Sequence, residues 1–217
     1  MLTRIKLIIY DLDGVLIDSE KGILETFKAV LEELKLGYDE EKLRKLIGYS
    51  LPDILKKILP RNKQHLIEKA SQLYRQKYIP IAIKETVLLE GVVETLSYIK
   101  SLNVKQSIAT NKSAPEANQI LKHLGILDYF DLLVGFFDVE NPKPAPDMIN
   151  LILEKFQVKP KDAVLIEDTL VGMTAGKDAG VHTVAVTTGV DDRETLVTGH
   201  PEFMIDNLME LMKLVSV

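Results

Sequence analysis

The hydrophobic period of the chain changes twice. Residues 5 to 10 (Ile-Lys-Leu-Ile-Ile-Tyr) form an apolar, β-branched run that passes Asp11 and Asp13 and breaks at Gly14. A run of that length, closed by acids and a glycine, predicts a buried parallel strand that delivers two carboxylates to its C-terminal end. The period then becomes helical. Ile23, Phe27, Val30, Leu31 and Leu34 recur at spacings of three and four with charges between them, and Gly37 is placed to close the helix. Leu43, Leu46 and Ile47 predict a short second helix ending at Gly48, and Ser50-Leu51-Pro52-Asp53 opens a third with a capping serine and an early proline. Leu66, Ala70, Leu73, Tyr74 and Tyr78 give the stripe of a fourth. Residues from about 18 to 82 therefore read as consecutive helices without a strand.

From there strand and helix alternate. Val92, Val93, Leu96 and Ile99 predict a helix, and Val104 to Ala109 a strand ending at Thr110-Asn111-Lys112. Ser113-Ala114-Pro115-Glu116 reads as a capping box opening a helix that runs to Gly125. A short strand at Leu132 to Val134 precedes a helix from Pro144 to about Phe156. Ala163 to Ile166 is a strand running into Glu167-Asp168, followed by a helix stopped at Gly180 and a strand from His182 to Val186. The tail from Phe203 reads as a short strand and a helix striped by Ile205, Leu208, Leu211 and Leu214. This alternation predicts the α/β class, a Rossmann-like, mostly parallel sheet with helices on both faces. The first strand needs the second half to pair with. The expected organisation is thus an α/β core of residues 1-15 and 87-217, with residues 16-86 inserted as a small all-helical module and hinge candidates at Gly14 to Ser19 and Lys84 to Leu89.

Composition narrows the function classes. Of 217 residues 46% are hydrophobic and 27% charged, an ordinary globular balance. A net charge of -5 argues against binding driven by the charge of nucleic acid or anionic membrane. Without cysteine there is no disulfide, no thiolate nucleophile and no Cys-ligated zinc. No apolar stretch approaches the roughly 18 residues that span a bilayer, and Asp11 ends the N-terminal apolar run too early for a signal-peptide core. A cytoplasmic enzyme or binding protein is the expectation.

Four polar clusters close four strand or loop units: Asp11 and Asp13; Thr110 and Asn111; Lys143 within Pro142-Lys143-Pro144-Ala145-Pro146; Glu167 and Asp168. The C-terminal ends of parallel strands share one edge, so the clusters are expected to converge. Acids, a hydroxyl and a lysine suit a phosphate handled through a divalent cation. Carboxylates would hold Mg²⁺ while Thr110, Lys143 and N-H groups at helix starts hold phosphate oxygens. An EF-hand loop counted from Asp11 fails at its twelfth position, which is Gly22. His65, His123, His182 and His200 have no metal-ligand spacing, and the Lys56-Lys57 and Arg61-Lys63 charges read as a solvated face.

An Asp-x-Asp-Gly-Val after a strand, a Thr-Asn ending the next, a Lys-Pro loop and an acidic pair followed by x-x-x-Gly resemble, in order, the four motifs of the haloacid dehalogenase superfamily. The helical insertion is similar to the cap of its first subclass, and the nearest resemblance is to the branch of phosphoglycolate phosphatase and β-phosphoglucomutase. The resemblance implies a Mg²⁺-dependent phosphatase of a small phosphorylated metabolite, monomeric or homodimeric. Asp11 is then the nucleophile that becomes an aspartyl-phosphate, and Asp13 the general acid and base whose main-chain carbonyl also ligates metal. Asp168 and Glu167 complete the metal site; Thr110, Asn111 and Lys143 bind the phosphoryl group. Glu167-Asp168 is shared with sugar phosphomutases, the alternative enzyme, although Ile23 and Leu51 stand where those carry a histidine and an arginine. No cap lysine is placed for phosphonatase chemistry, and dehalogenation does not need Asp13 or the acidic pair. A phosphate-responsive receiver domain shares the acids, Thr and Lys but has no use for Asp13. Gly48-Tyr49-Ser50 corresponds to a cap loop that faces the active site in such relatives, and otherwise reads as a helix-helix turn.

Overall fold

The computed structural model describes residues 2–216. A two-residue strand, β1 (Leu2–Thr3), precedes the central strand β2 (Leu7–Tyr10), whose four residues are all buried. β3 (Ile17–Asp18) leads out to helices α1 (Glu20–Glu33), α2 (Glu40–Arg44), α3 (Leu51–Ile58) and α4 (Ile67–Glu85), and β4 (Val87–Leu88) leads back. The remainder runs α5 (Val92–Ser101), β5 (Lys105–Ala109), α6 (Ala114–His123), β6 (Leu132–Val134), α7 (Asp147–Phe156), β7 (Ala163–Glu167), α8 (Leu170–Asp178), β8 (His182–Val186), α9 (Arg193–Thr198), β9 (Phe203–Ile205), α10 (Leu211–Leu214) and β10 (Val215–Ser216).

Six strands form one parallel sheet in the order β6-β5-β2-β7-β8-β9. Strand β2 is central because both of its faces are apolar, as a parallel strand covered on two sides requires. Ile8 and Tyr10 share a core with Leu96 and Ile99 of α5 and Ile120 of α6, while Leu7 and Ile9 join Met148 and Ile152 of α7 and Ala175 of α8. The register sets Tyr10 opposite Ile108 on one side and Ile166 on the other, so Asp11, Ala109 and Glu167 lie level at one edge. The Asp11 N-H donates to the Ile166 carbonyl at 3.0 Å and extends the ladder by one rung.

Helices α1 and α4 pack through aromatic rings: Phe27 meets Tyr74 at a centroid distance of 4.7 Å, and Tyr74 stacks on Tyr78 at 5.2 Å. Asp39 and Ser50 cap α2 and α3, accepting from the N-H groups of Lys42 and Asp53. The alternating α/β core and the helical region before it follow the sequence reading, and four details differ. The two crossings form a two-stranded antiparallel pair, Ile17 opposite Leu88 and Asp18 opposite Val87, where no strand is legible from periodicity. Helix α4 runs through exposed Pro80 to Glu85, beyond the stripe that ends at Tyr78. Helix α7 begins at Asp147, because Pro142 to Ala145 close a turn that includes a cis Lys143-Pro144 bond. The tail ends in β10, paired in parallel with β1. Among the described residues no helix is long and apolar enough to cross a membrane.

Candidate active site

The four polar clusters meet at the C-terminal edge of the sheet. Lys143, 2% exposed, places its Nζ 2.6 Å from Asp11 Oδ1 and 2.5 Å from Glu167 Oε1. The other oxygen of Glu167 accepts from the N-H groups of Asp168 (3.0 Å) and Thr169 (3.2 Å) and from the Thr169 hydroxyl (3.0 Å). Glu167 thus ties β7 to the first turn of α8, where the unpaired N-H groups of a helix start favour an anion. Glycines make room for these acids. Gly14 has φ +82°, and a Cβ there would strike the Asp168 carboxylate; a Cβ at Gly172 would strike that of Glu167.

Asp11, Glu167 and Asp168 each offer a carboxylate oxygen, and these three atoms lie within 4.8 Å of one another. Asp168 Oδ2 accepts from the Val190 N-H at 3.0 Å, whereas its Oδ1 is buried with no partner. Asp11 is raised to about 7, by burial first and by the charges of Glu167 and Asp13, against the pull of Lys143. Burial, followed by the charges of Glu167 and Asp11, holds Asp168 well above the usual carboxylate range. Burial acts against the charge of Lys143, but Asp11 and Glu167 outweigh it and raise the ammonium above the usual lysine range. Crowded hard oxygens, one of them buried and unpartnered, fit a small divalent cation such as Mg²⁺. Both oxygens of Glu167 are already engaged, which leaves Asp11 and Asp168 as the better-placed side chains for that cation.

Asp13 takes a separate set of partners. Its Oδ1 accepts from the Ser19 hydroxyl, and its Oδ2 lies 3.0 Å from Lys112 Nζ. Lys112 also donates to the Tyr78 hydroxyl at 2.7 Å, with its ammonium 4.7 Å from that ring's centroid. Thr110 is buried beside them, its hydroxyl accepting from the Lys112 N-H at 3.1 Å. Asn111 joins the cluster differently from a phosphate donor: its amide nitrogen donates to the carbonyls of Gly48 (2.9 Å) and Lys143 (3.0 Å). That bond brings the Gly48 loop against the core, and Gly48 and Tyr49 line the same cavity as Asp11 and Asp13. Ile23 and Leu51 line it too. Sequence reasoning missed Lys112, Ser19, Tyr78 and Thr169. A lysine after a strand and a tyrosine in a helical stripe carry no signal of their own; Lys112 and Thr169 only adjoined motifs.

The sequence matches the family described as haloacid dehalogenase-like hydrolase over residues 8–186. The chain is 29% identical to the phosphorylated carbohydrates phosphatase of Thermotoga maritima, over 94% of this chain and 99% of that protein. It is 28% identical to the phosphoglycolate phosphatase of Nitrosococcus oceani, over 100% of this chain and 99% of that one. Its fold is similar to that of the haloacid dehalogenase-like family protein SP0104 of Streptococcus pneumoniae, with a TM-score of 0.87 at 27% identity, covering 97% and 98% of the two chains. Two relatives at 29% and 28% identity carry different substrate names, so likeness at this level leaves the substrate open.

Proposed function

The chain belongs to the haloacid dehalogenase-like hydrolase family, as one of its phosphatases, and we propose that it hydrolyses a small phosphomonoester through an aspartyl-phosphate on Asp11. The observation that carries this reading is the pairing of Asp11 with buried Lys143, two residues before an Asp13 that opens on the same cavity. Phosphate esters repel an anionic nucleophile, and a fixed ammonium beside Asp11 offsets that repulsion. An oxygen of Asp11 forms a bond to phosphorus as the bond to the ester oxygen breaks, and Asp13 gives the departing alkoxide its proton. Asp13 then takes a proton from the water that attacks phosphorus, the bond to Asp11 breaks, and inorganic phosphate leaves. Lys143 and Thr110 bind the phosphoryl oxygens; Asn111 holds the Gly48 loop and the Lys143 backbone in place.

Mg²⁺ is the cofactor of this proposal; Asp11 and Asp168 would hold it, with the Asp13 main-chain carbonyl as the family resemblance implies, while Glu167 orients Lys143 and the start of α8. When bound it supplies positive charge that neutralises the phosphoryl oxygens. Residues 16-86 act as a cap over a core of 1-15 and 87-217, and the β3-β4 pair is where it would hinge to exclude water. A cytoplasmic setting agrees with the composition. Hydrolysis of p-nitrophenyl phosphate with Mg²⁺, abolished in Asp11→Asn and by EDTA, is the test; full turnover in either case removes the assignment concerned. A sugar phosphomutase is favoured by one observation, the glutamate before Asp168. The apolar Ile23 and Leu51 in the cavity speak against it, since they offer a sugar no hydrogen bond. Conversion of β-glucose 1-phosphate to glucose 6-phosphate faster than phosphate release would decide for the mutase.

A further inference from the structure

We propose that the cavity beside Asp13 is a leaving-group subsite for a phosphate ester with an apolar or aromatic body, selected over sugar and polyol phosphates. The inference rests on the phosphomonoesterase reading and narrows its substrate class. The cavity encloses about 700 Å³ of empty space, its open mouth included, and is continuous with Asp11 and Asp13.

Its walls are apolar on both sides. Ile23 and Phe27 face it one turn apart on α1, Leu51 and Ile54 one turn apart on α3, Tyr74 from α4, and Phe136 from the core. The charged groups on the same walls are largely engaged. Asp13 is held by Lys112 and Ser19, and Lys112 by Asp13 and Tyr78. Glu116 accepts from the Ser113 N-H and hydroxyl, and the Asn111 amide nitrogen serves two carbonyls. Among the charged side chains Arg75 is the exception, its guanidinium 5.1 Å from the Phe137 ring centroid and without an acidic partner among the described residues; of the uncharged groups, Asn111 Oδ1 is buried with no partner.

The consequence for selectivity is direct. A polyol lying against Ile23, Phe27, Leu51, Ile54 and Phe136 gives up hydrogen bonds to water that these side chains cannot replace, whereas an apolar body gains by leaving water. Selectivity of this kind resides in the leaving group and leaves the phosphoryl chemistry at Asp11 untouched.

The test uses the full chain with Mg²⁺ and three primary alkyl phosphates, 2-phenylethyl phosphate, glycerol 3-phosphate and glucose 6-phosphate, whose departing oxygens are chemically alike. The expected kcat/KM is about tenfold or more higher for 2-phenylethyl phosphate than for either other ester. Leu51→Asn, at a half-buried position, should shrink that ratio to about threefold or less, and Leu51→Met should keep it. In the unaltered chain, 2-phenylethanol should inhibit p-nitrophenyl phosphate hydrolysis where equimolar glycerol does not, a readout independent of any variant's folding. Equal or better turnover of glycerol or glucose phosphate overturns the subsite, as does inhibition by glycerol equal to that by 2-phenylethanol. A chain that hydrolyses none of these esters, p-nitrophenyl phosphate included, sinks the phosphomonoesterase reading itself, a result distinct from active hydrolysis with the wrong preference.

Discussion

Lys112 Nζ donates to the Tyr78 hydroxyl at 2.7 Å while lying 3.0 Å from Asp13 Oδ2, so a residue of helix α4 is joined through one ammonium to the carboxylate proposed to protonate the leaving group. Burial opposes the charge of Lys112, and Asp13 more than restores it, raising the ammonium above the usual lysine range. Tyr78→Phe keeps the ring under the ammonium and removes one buried hydrogen bond. It should lower stability by about 1 kcal/mol. Lys112→Met strips Asp13 of its cation and should cost more, about 1–3 kcal/mol. Urea denaturation of both variants checks the order, and equal stabilities would refute it.

Lys143 is the only cation within hydrogen-bonding distance of both Asp11 and Glu167 among the described residues. Lys143→Met leaves two buried carboxylates facing each other, a loss of about 3–5 kcal/mol. Turnover should fall by about 10²–10³-fold with the loss of one transition-state donor. Added Mg²⁺ should recover part of the stability and little of the rate. Thermal melts with and without Mg²⁺, set beside steady-state rates, separate the two effects.

The acid cluster predicts an uncommon pH dependence. Asp11 is raised from its ordinary 3.8 to about 7, and Asp168 is raised as well. The folded chain therefore holds more protons than the unfolded chain across that interval, and metal-free stability should fall as pH rises from about 4 through 7. The melting temperature without metal should drop between pH 5 and pH 8, and Mg²⁺ should raise it more at pH 8. Asp11→Asn should be inactive and, without metal, more stable than the parent at pH 8. A flat metal-free profile would contradict the cluster's electrostatics.

Gly172 is needed for space and not for an unusual φ, since a Cβ there meets the Glu167 carboxylate. Gly172→Ala should destabilise by about 1–3 kcal/mol through overpacking. It should also lower activity by shifting the glutamate off Lys143. Gly37→Ala, where an added Cβ meets nothing within 4 Å, serves as the control. Equal effects at the two positions would dismiss the steric argument.

The apolar run before Asp11 determined β2 and its buried place by itself, because a strand with apolar side chains on both faces is stable only inside a covered parallel sheet. The helical stripes determined α1, α3 and most of α4 in the same way, since burying one face of a helix is a local pattern. Convergence of Asp11, Thr110, Lys143 and Glu167 was also legible, as strand ends of a parallel sheet share an edge. Tertiary structure alone decided what each polar atom does there. The amide of Asn111 went to Gly48 and Lys143, both oxygens of Glu167 were taken, and Oδ1 of Asp168 was left without a partner. The β3-β4 and β1-β10 pairs were likewise invisible, being two residues long and joining segments distant in the chain. Periodicity records which side of an element faces the core. Hydrogen-bond partners depend on distances of a few tenths of an ångström between residues far apart in sequence, and only the packed chain fixes those.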